Sequence, residues 1–143
     1  IMGYFAGLHY WWPKMTGRMY SDIWSKVAAI IVFAGFNLTF GPQFILGYLG
    51  MPRRYWSYPA EFQVLNVLST AGATILGVGY VFPLVYLLYS LKKGAPAGDN
   101  PWGAAGLEWE TTSPPPTFNF EREPVVTGGP YDFSNVKEAV LDE

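Results

Sequence analysis

Two long runs of apolar residues constrain the fold of this chain more than any other feature. The run Ile23–Tyr48 contains one charged residue, Lys26, and the run Phe62–Leu91 contains none. Each run exceeds the roughly 20 residues that an α-helix needs to cross a hydrocarbon core about 30 Å thick. A soluble domain would instead arrange its apolar residues in periodic stripes. The sequence therefore predicts an all-α membrane protein with two complete transmembrane helices, within residues 21–49 and 61–93.

The overall charge and the counts of cysteine and histidine exclude several kinds of site. The net charge is −2, and basic residues never exceed two in a row, which argues against a nucleic-acid partner. The chain has no cysteine, so it has neither a disulfide framework nor a thiolate metal site. A single histidine cannot build a multi-histidine metal centre. We predict that this chain alone ligates no metal.

The first apolar stretch, in residues 1–20, has only about 12 apolar residues and is too short to cross a bilayer. It is interpreted as the end of a transmembrane helix that starts elsewhere, followed by a loop. Pro13 and Gly17 are expected to break this helix. Lys14 and Arg18 are expected to lie in water.

The final segment, residues 94–143, is polar and rich in proline, which predicts an extended tail rather than a third span. The motif "SPPP" at 113–116 suits a polyproline II conformation. Trp102 and Trp109 are unusual for a purely disordered linker, so the tail is expected to lie along a partner surface.

The distribution of basic residues predicts the orientation in the membrane. The positive-inside rule assigns the side richer in lysine and arginine to the cytoplasm. This places the tail in the cytoplasm and the loop of residues 50–60 outside. The basic residues near the membrane on the tail side are Lys14, Arg18, Lys26, Lys92 and Lys93.

The outer loop contains two adjacent arginines in the stretch "GMPRRYWSYP". Arg53 and Arg54 therefore lie on the side where arginine is disfavoured, which indicates a bound anion. Their planar donor groups suit carboxylates and phosphates. A ligand with two acidic groups, lipid phosphates and acidic residues of a neighbouring chain are the alternatives.

Four stretches resemble the last quarter of subunit I of the haem–copper oxidases. The resemblance covers almost the whole chain in the family's order, and the final twenty or so residues carry no signal of it. It implies that the chain is similar to the end of the tenth helix and all of the eleventh and twelfth. The stretches are "FAGLHYWWPKMTGRMY", "FNLTFGPQFILGYLGMPRRYWSYP", the helix from Phe62, and "NPWGAAGLEWETTSPPPTFNF".

The resemblance implies a haem contact for this loop. In the family, the paired arginines bind propionates of the low-spin haem and of the high-spin haem in the binuclear centre. The matching residues are Arg53 and Arg54, and Phe40, just before "GPQ", could form a wall of the low-spin haem pocket. The family's haem and copper ligands lie on helices that this chain lacks. His9 lies past the ligand pair and is interpreted as a packing residue.

The resemblance also implies an enzymatic setting. The chain would be part of the catalytic subunit of a respiratory oxidase that transfers electrons from cytochrome c to O₂ and pumps protons. The implied partners are the chain with the remaining helices, a copper-bearing subunit II, subunit III, cytochrome c and lipid. The expected location is a bacterial plasma membrane. The alternatives are a quinol oxidase of the same superfamily and a non-catalytic structural subunit beside a complete subunit I.

The first complete span contains polar residues that cannot face lipid. Asn37, Thr39 and Gln43 must face protein or water, and a haem substituent, a backbone carbonyl or a neighbouring helix could satisfy each of them. Phe36, Phe40 and Phe44 recur every four residues, which predicts one aromatic helix face.

Overall fold

The structure is a computed structural model and describes residues 1–120 and 124–125. Its regular elements are helices α1 (Met2–Thr16), α2 (Asp22–Tyr48) and α3 (Gln63–Lys93), with short 3₁₀ turns at Ala60–Phe62 and Leu107–Trp109. Within the described residues there is no β-strand. The predictions for the end of the tail, residues 126–143, lie outside the described part. The helical fold predicted from the sequence is confirmed.

Two of the helices are long and apolar enough to cross a membrane. They are α2 and the segment Ala60–Lys93, which includes α3. The chain divides into two compact units, residues 21–88 and residues 1–20 together with the residues from 89 onward. The first unit is the helical hairpin of α2 and most of α3. The second unit joins α1 to the segment that follows α3.

In the hairpin unit, glycines allow the backbones of α2 and α3 to approach closely. A Cβ atom built on Gly72 would lie 2.4 Å from the Leu38 carbonyl carbon, and one built on Gly35 would lie 2.6 Å from the Leu76 amide nitrogen. A Cβ atom on Gly79 would lie 2.8 Å from a methyl group of Val32 and 3.2 Å from the Val32 amide nitrogen. The two helices therefore touch through backbone atoms, as small residues permit in membrane helices.

Replacing Gly72 by alanine is expected to destabilise the hairpin. The added methyl meets backbone atoms of α2, so the helices must separate, and overpacking of this kind costs about 1 to 3 kcal/mol. Gly77 is the matched control, because a Cβ there meets no atom within 4 Å. Alanine has the higher helix propensity at both positions. Thermal unfolding of the purified membrane complex should show a lower midpoint for G72A only. Equal midpoints for the two variants would contradict the close contact.

The polar residues of α2 form hydrogen bonds within the chain. The Gln43 amide donates to the Ser69 hydroxyl at 2.9 Å, and Ser69 donates to the Thr39 carbonyl oxygen at 2.9 Å. Asn37 donates to the Phe33 carbonyl at 2.8 Å, within its own helix. A neighbouring helix and backbone carbonyls thus supply partners of the kinds expected from the sequence.

In the unit that contains α1, two predictions about the first twenty residues are wrong. Helix α1 continues through Pro13, so the prediction that Pro13 breaks it is wrong. Pro13 has no amide hydrogen to donate, but its carbonyl oxygen accepts from the Gly17 amide at 2.8 Å, so the helix keeps its last turn. Gly17 ends α1 in the left-handed conformation at φ 68°, and a Cβ there would lie 2.8 Å from the Ser113 carbonyl oxygen.

Lys14 does not lie in water as predicted, since only 5% of its surface is exposed. Its ammonium donates to the carbonyl oxygens of Asp99 at 2.9 Å, Thr111 at 2.5 Å and Thr112 at 3.4 Å. It also lies 5.3 Å from the centre of the Trp109 ring, within the range of a cation–π contact. Burial lowers the pKa of this ammonium from its ordinary value, while the nearby charges of Asp99 and Glu108 act in the opposite direction. A single cation thus joins α1 to two stretches of the tail.

The described part of the tail folds against α1. Trp109 is 2% exposed and donates to the Tyr10 hydroxyl at 3.0 Å, and Trp102 donates to the Tyr10 carbonyl at 2.8 Å. The tryptophans that suggested a partner surface therefore pack against residues of the same chain. Arg18 is exposed, as expected, and donates to the Gly94 carbonyl at 3.1 Å.

Candidate functional site

The two arginines predicted as a binding site lie in the loop that joins α2 to the 3₁₀ turn before α3. Arg53 and Arg54 are both exposed. Among the described residues, neither contacts an acidic side chain. Arg54 adopts the left-handed conformation at φ 58°, which costs a residue with a Cβ atom about 1 to 2 kcal/mol. The loop therefore presents two adjacent cations from a strained backbone.

The start of this loop is fixed by Met51. Its amide donates to the Leu46 carbonyl at 3.0 Å, which ties the loop to the last turn of α2. Its side chain is buried in a small apolar cluster with Leu46 and Phe62, against which Tyr58 and Leu65 pack. Arg53 and Arg54 thus come two and three residues after Met51, whose side chain is buried.

The end of the loop is fixed by two tyrosines. The Tyr55 hydroxyl donates to the Asn66 side-chain oxygen at 3.0 Å, and the Tyr58 hydroxyl donates to Gln63 at 2.9 Å. The two rings meet edge to face with centroids 5.3 Å apart. Asn66 is 8% exposed and was not singled out from the sequence. An asparagine within an otherwise apolar span was the signal that could have identified it.

Phe40, the third predicted site residue, lies on α2 rather than in the loop. It precedes the end of the helix at Tyr48 by eight residues, or about 12 Å along the axis. Its ring centroid is 4.7 Å from that of Phe36, and Phe40 is about half exposed. Phe44, one turn later, is also exposed. The three phenylalanines form the predicted aromatic face, which is open within this chain.

His9 is a packing residue in this structure. Its Nδ1 lies 2.6 Å from the Phe5 carbonyl oxygen, which requires a proton on Nδ1, and its ring meets Tyr20 edge to face at 5.2 Å. In the part of the chain that the structure describes, no three histidine, aspartate or glutamate residues form a group that could hold a metal ion.

Comparison with known proteins assigns the chain to a family. The family model described as Cytochrome C and Quinol oxidase polypeptide I matches residues 1–75. The chain belongs to this family. Cytochrome c oxidase subunit 1 of Synechocystis sp. is 48% identical over 139 residues, which are 97% of this chain. The Aeropyrum pernix protein named Heme-copper oxidase subunit I+III is 51% identical over 87% of the chain. Cytochrome c oxidase subunit 1 of Cereibacter sphaeroides is 42% identical over 87% of the chain.

The chain spans about a quarter or less of the length of these oxidase polypeptides. The matched region is 25% of the Synechocystis protein and 15% of the Aeropyrum protein. Membership of the oxidase polypeptide I family agrees with two helices able to span a membrane. It also supports an integral membrane protein.

Proposed function

We propose that this chain forms part of the catalytic subunit of a proton-pumping terminal oxidase and that Arg53 and Arg54 bind haem propionates. The observation that supports this most is the pair of exposed arginines on one anchored loop. Neither has an acidic partner within the described residues, and the chain belongs to an oxidase family. In this proposal the chain corresponds to the last quarter of subunit I.

Arginine suits this role for electrostatic reasons. Propionate groups near a membrane interior are costly to bury unless fixed cations and hydrogen-bond donors accompany them. Each guanidinium carries its charge at all accessible pH values and offers two parallel N–H donors to one carboxylate. Two such groups on adjacent residues match a ligand that bears more than one carboxylate.

The aromatic face of α2 supports the same proposal. Phe36, Phe40 and Phe44 expose apolar rings below the arginine loop, on the helix that leads into it. Such rings would pack against the flat apolar face of a haem, while the arginines would bind the propionate groups at its edge. The bound haem supplies one-electron redox chemistry that no residue of this chain provides.

The arginines would also change the reduction potential of the haem, which measures its affinity for electrons. A reduced haem carries one more negative charge than an oxidised haem, so a fixed cation nearby favours the reduced form. At an effective dielectric constant near 20, two unit charges about 10 Å apart interact by on the order of 1 to 2 kcal/mol. The arginines therefore raise the reduction potential of the haem they contact, in addition to binding it.

The proposed position in the last quarter of subunit I implies the partners of this chain. The haem and copper ligands would come from the other helices of subunit I, and copper-bearing subunit II would deliver electrons. The Aeropyrum relative, named as a fusion of subunits I and III, supports subunit III as a neighbour. Cytochrome c is the proposed electron donor, because two of the relatives above are named for it. The loop would face outward from a bacterial plasma membrane and the tail would face the cytoplasm.

Neutralising one arginine is expected to lower the reduction potential of the low-spin haem. In the purified complex, R53Q and R54Q should each lower it by tens of millivolts, since about 59 mV corresponds to 1.4 kcal/mol for one electron. Spectroelectrochemical titration of the haem measures this shift directly. The matched control is K92Q, which removes one exposed cation from the other end of α3 and should leave the potential unchanged. Unchanged potentials in both arginine variants would refute propionate binding.

A further inference from the structure

We propose that Asn66 is a positioning residue that holds the arginine pair in place. This inference rests on the proposed function of Arg53 and Arg54. The Asn66 side chain contacts the loop on both sides of the pair, at Met51 and at Tyr55. It does so from α3, a 31-residue helix that provides a rigid base.

The hydrogen bonds of Asn66 use both ends of its amide. The side-chain oxygen accepts from the Tyr55 hydroxyl at 3.0 Å. The side-chain nitrogen donates to the Phe62 carbonyl at 2.9 Å and points its second hydrogen at the Met51 sulfur, 3.6 Å away. The amide has two donor hydrogens and one acceptor oxygen, so each of its polar groups is used. Because Asn66 is buried, water cannot readily replace these partners.

The positions of the two loop contacts explain why they matter for the arginines. Met51 lies two residues before Arg53, and Tyr55 lies one residue after Arg54. Both ends of this five-residue segment are therefore tied to one amide group. The segment has little freedom to change its shape while both contacts hold.

The backbone of the pair needs such a restraint. Arg54 has φ 58°, a conformation that residues with a Cβ atom keep only when the surrounding structure enforces it. Release of Tyr55 would let Arg54 relax toward a negative φ and redirect its side chain. Release of Met51 would free the other end in the same way. Asn66 thus acts on the ligand through the arginines and does not itself need to touch it.

The test compares Asn66→Leu with the arginine variants in the purified complex. Leucine has a similar volume and removes all three hydrogen bonds. We expect N66L to change the ratio of reduced to oxidised low-spin haem at fixed potential by roughly threefold, which equals about 28 mV for one electron. The direction should be that of R53Q and R54Q. The control is Thr74→Val, which removes a bond to the Thr70 carbonyl on the same helix and contacts no loop residue.

A double-variant cycle separates positioning from a purely structural role. In the R54Q background, N66L should change the ratio less than it does in the wild-type background, because one of the two cations that Asn66 positions is already absent. A change of equal size in both backgrounds, or no change in either, would overturn the proposal. If R53Q and R54Q shift the potential and N66L does not, propionate binding stands and positioning by Asn66 fails. If the arginine variants cause no shift, the proposed function itself fails.

A milder variant covers the case in which N66L does not assemble. Tyr55→Phe removes only the hydroxyl that donates to Asn66 and keeps the ring that packs against Tyr58. It should shift the ratio in the same direction by a smaller factor, and that shift should also be reduced in the R54Q background. Wild-type behaviour of Y55F in a complex without N66L would overturn the proposal.

Discussion

A complex in which both Arg53 and Arg54 are replaced by glutamine is expected to lose most of its low-spin haem and most of its oxidase activity. Each hydrogen bond between an ionised donor and a carboxylate contributes about 1.5 to 3 kcal/mol. Loss of both arginines therefore removes on the order of 3 to 6 kcal/mol, which corresponds to about 10² to 10⁴ in affinity. Glutamine keeps a neutral N–H donor at each position, so the loss reports mainly on the charge and should lie toward the lower end of this range.

The measurement is the ratio of haem to protein in the purified complex, followed by oxygen consumption per complex. The matched control is the double variant K92Q/K93Q, which removes two adjacent exposed cations from the opposite end of α3. It should retain haem and activity. Full haem content and activity in R53Q/R54Q would show that other residues carry the carboxylates.

Replacement of Lys14 by methionine is expected to release the tail from α1. The three carbonyl oxygens of Asp99, Thr111 and Thr112 lose their common donor, and methionine keeps the volume of the side chain without replacing it. A hydrogen bond that involves a charged group, such as those of the Lys14 ammonium, contributes about 1.5 to 3 kcal/mol. Removal of the buried charge returns part of this energy, because burial disfavours the ammonium. A net loss of roughly 3 kcal/mol in tail docking is expected.

Limited chymotrypsin digestion of the purified complex measures this release. Trp109 is almost fully buried, so cleavage after it requires the tail to open. K14M should be cleaved there on the order of 100-fold faster than the wild type, as about 3 kcal/mol implies when opening is at equilibrium. The control K92M removes an exposed lysine and should be cleaved at the wild-type rate. Wild-type cleavage of K14M would show that the aromatic contacts alone hold the tail.

The sequence predicted the helices well because their cause is local. An apolar run that is long enough to cross a bilayer as a helix strongly favours a transmembrane helix. The bounds of α2 and α3 follow the two apolar runs closely. The helix through Pro13 was mispredicted, because a proline in the last turn removes only one backbone bond.

The errors and omissions concern contacts between residues far apart in the chain. Lys14 was placed in water because nothing nearby in sequence reveals the carbonyls that it binds about 85 to 98 residues later. Arg53 and Arg54 could be singled out from the sequence, because the positive-inside rule predicts that they lie on the side where arginine is disfavoured. Asn66 was missed because its role depends on how the loop folds back onto α3. An asparagine in an apolar span indicates a polar group that needs a partner, but the partners in the loop, Met51 and Tyr55, follow only from the structure.

The most direct test of the central claim is an experimental structure of the intact complex with its haems, at a resolution that places side chains. The guanidinium nitrogens of Arg53 and Arg54 should lie about 2.7 to 2.9 Å from haem propionate oxygens, the range of charge-assisted hydrogen bonds. The claim would be contradicted if both guanidinium groups instead contacted lipid phosphates or acidic side chains of a neighbouring chain.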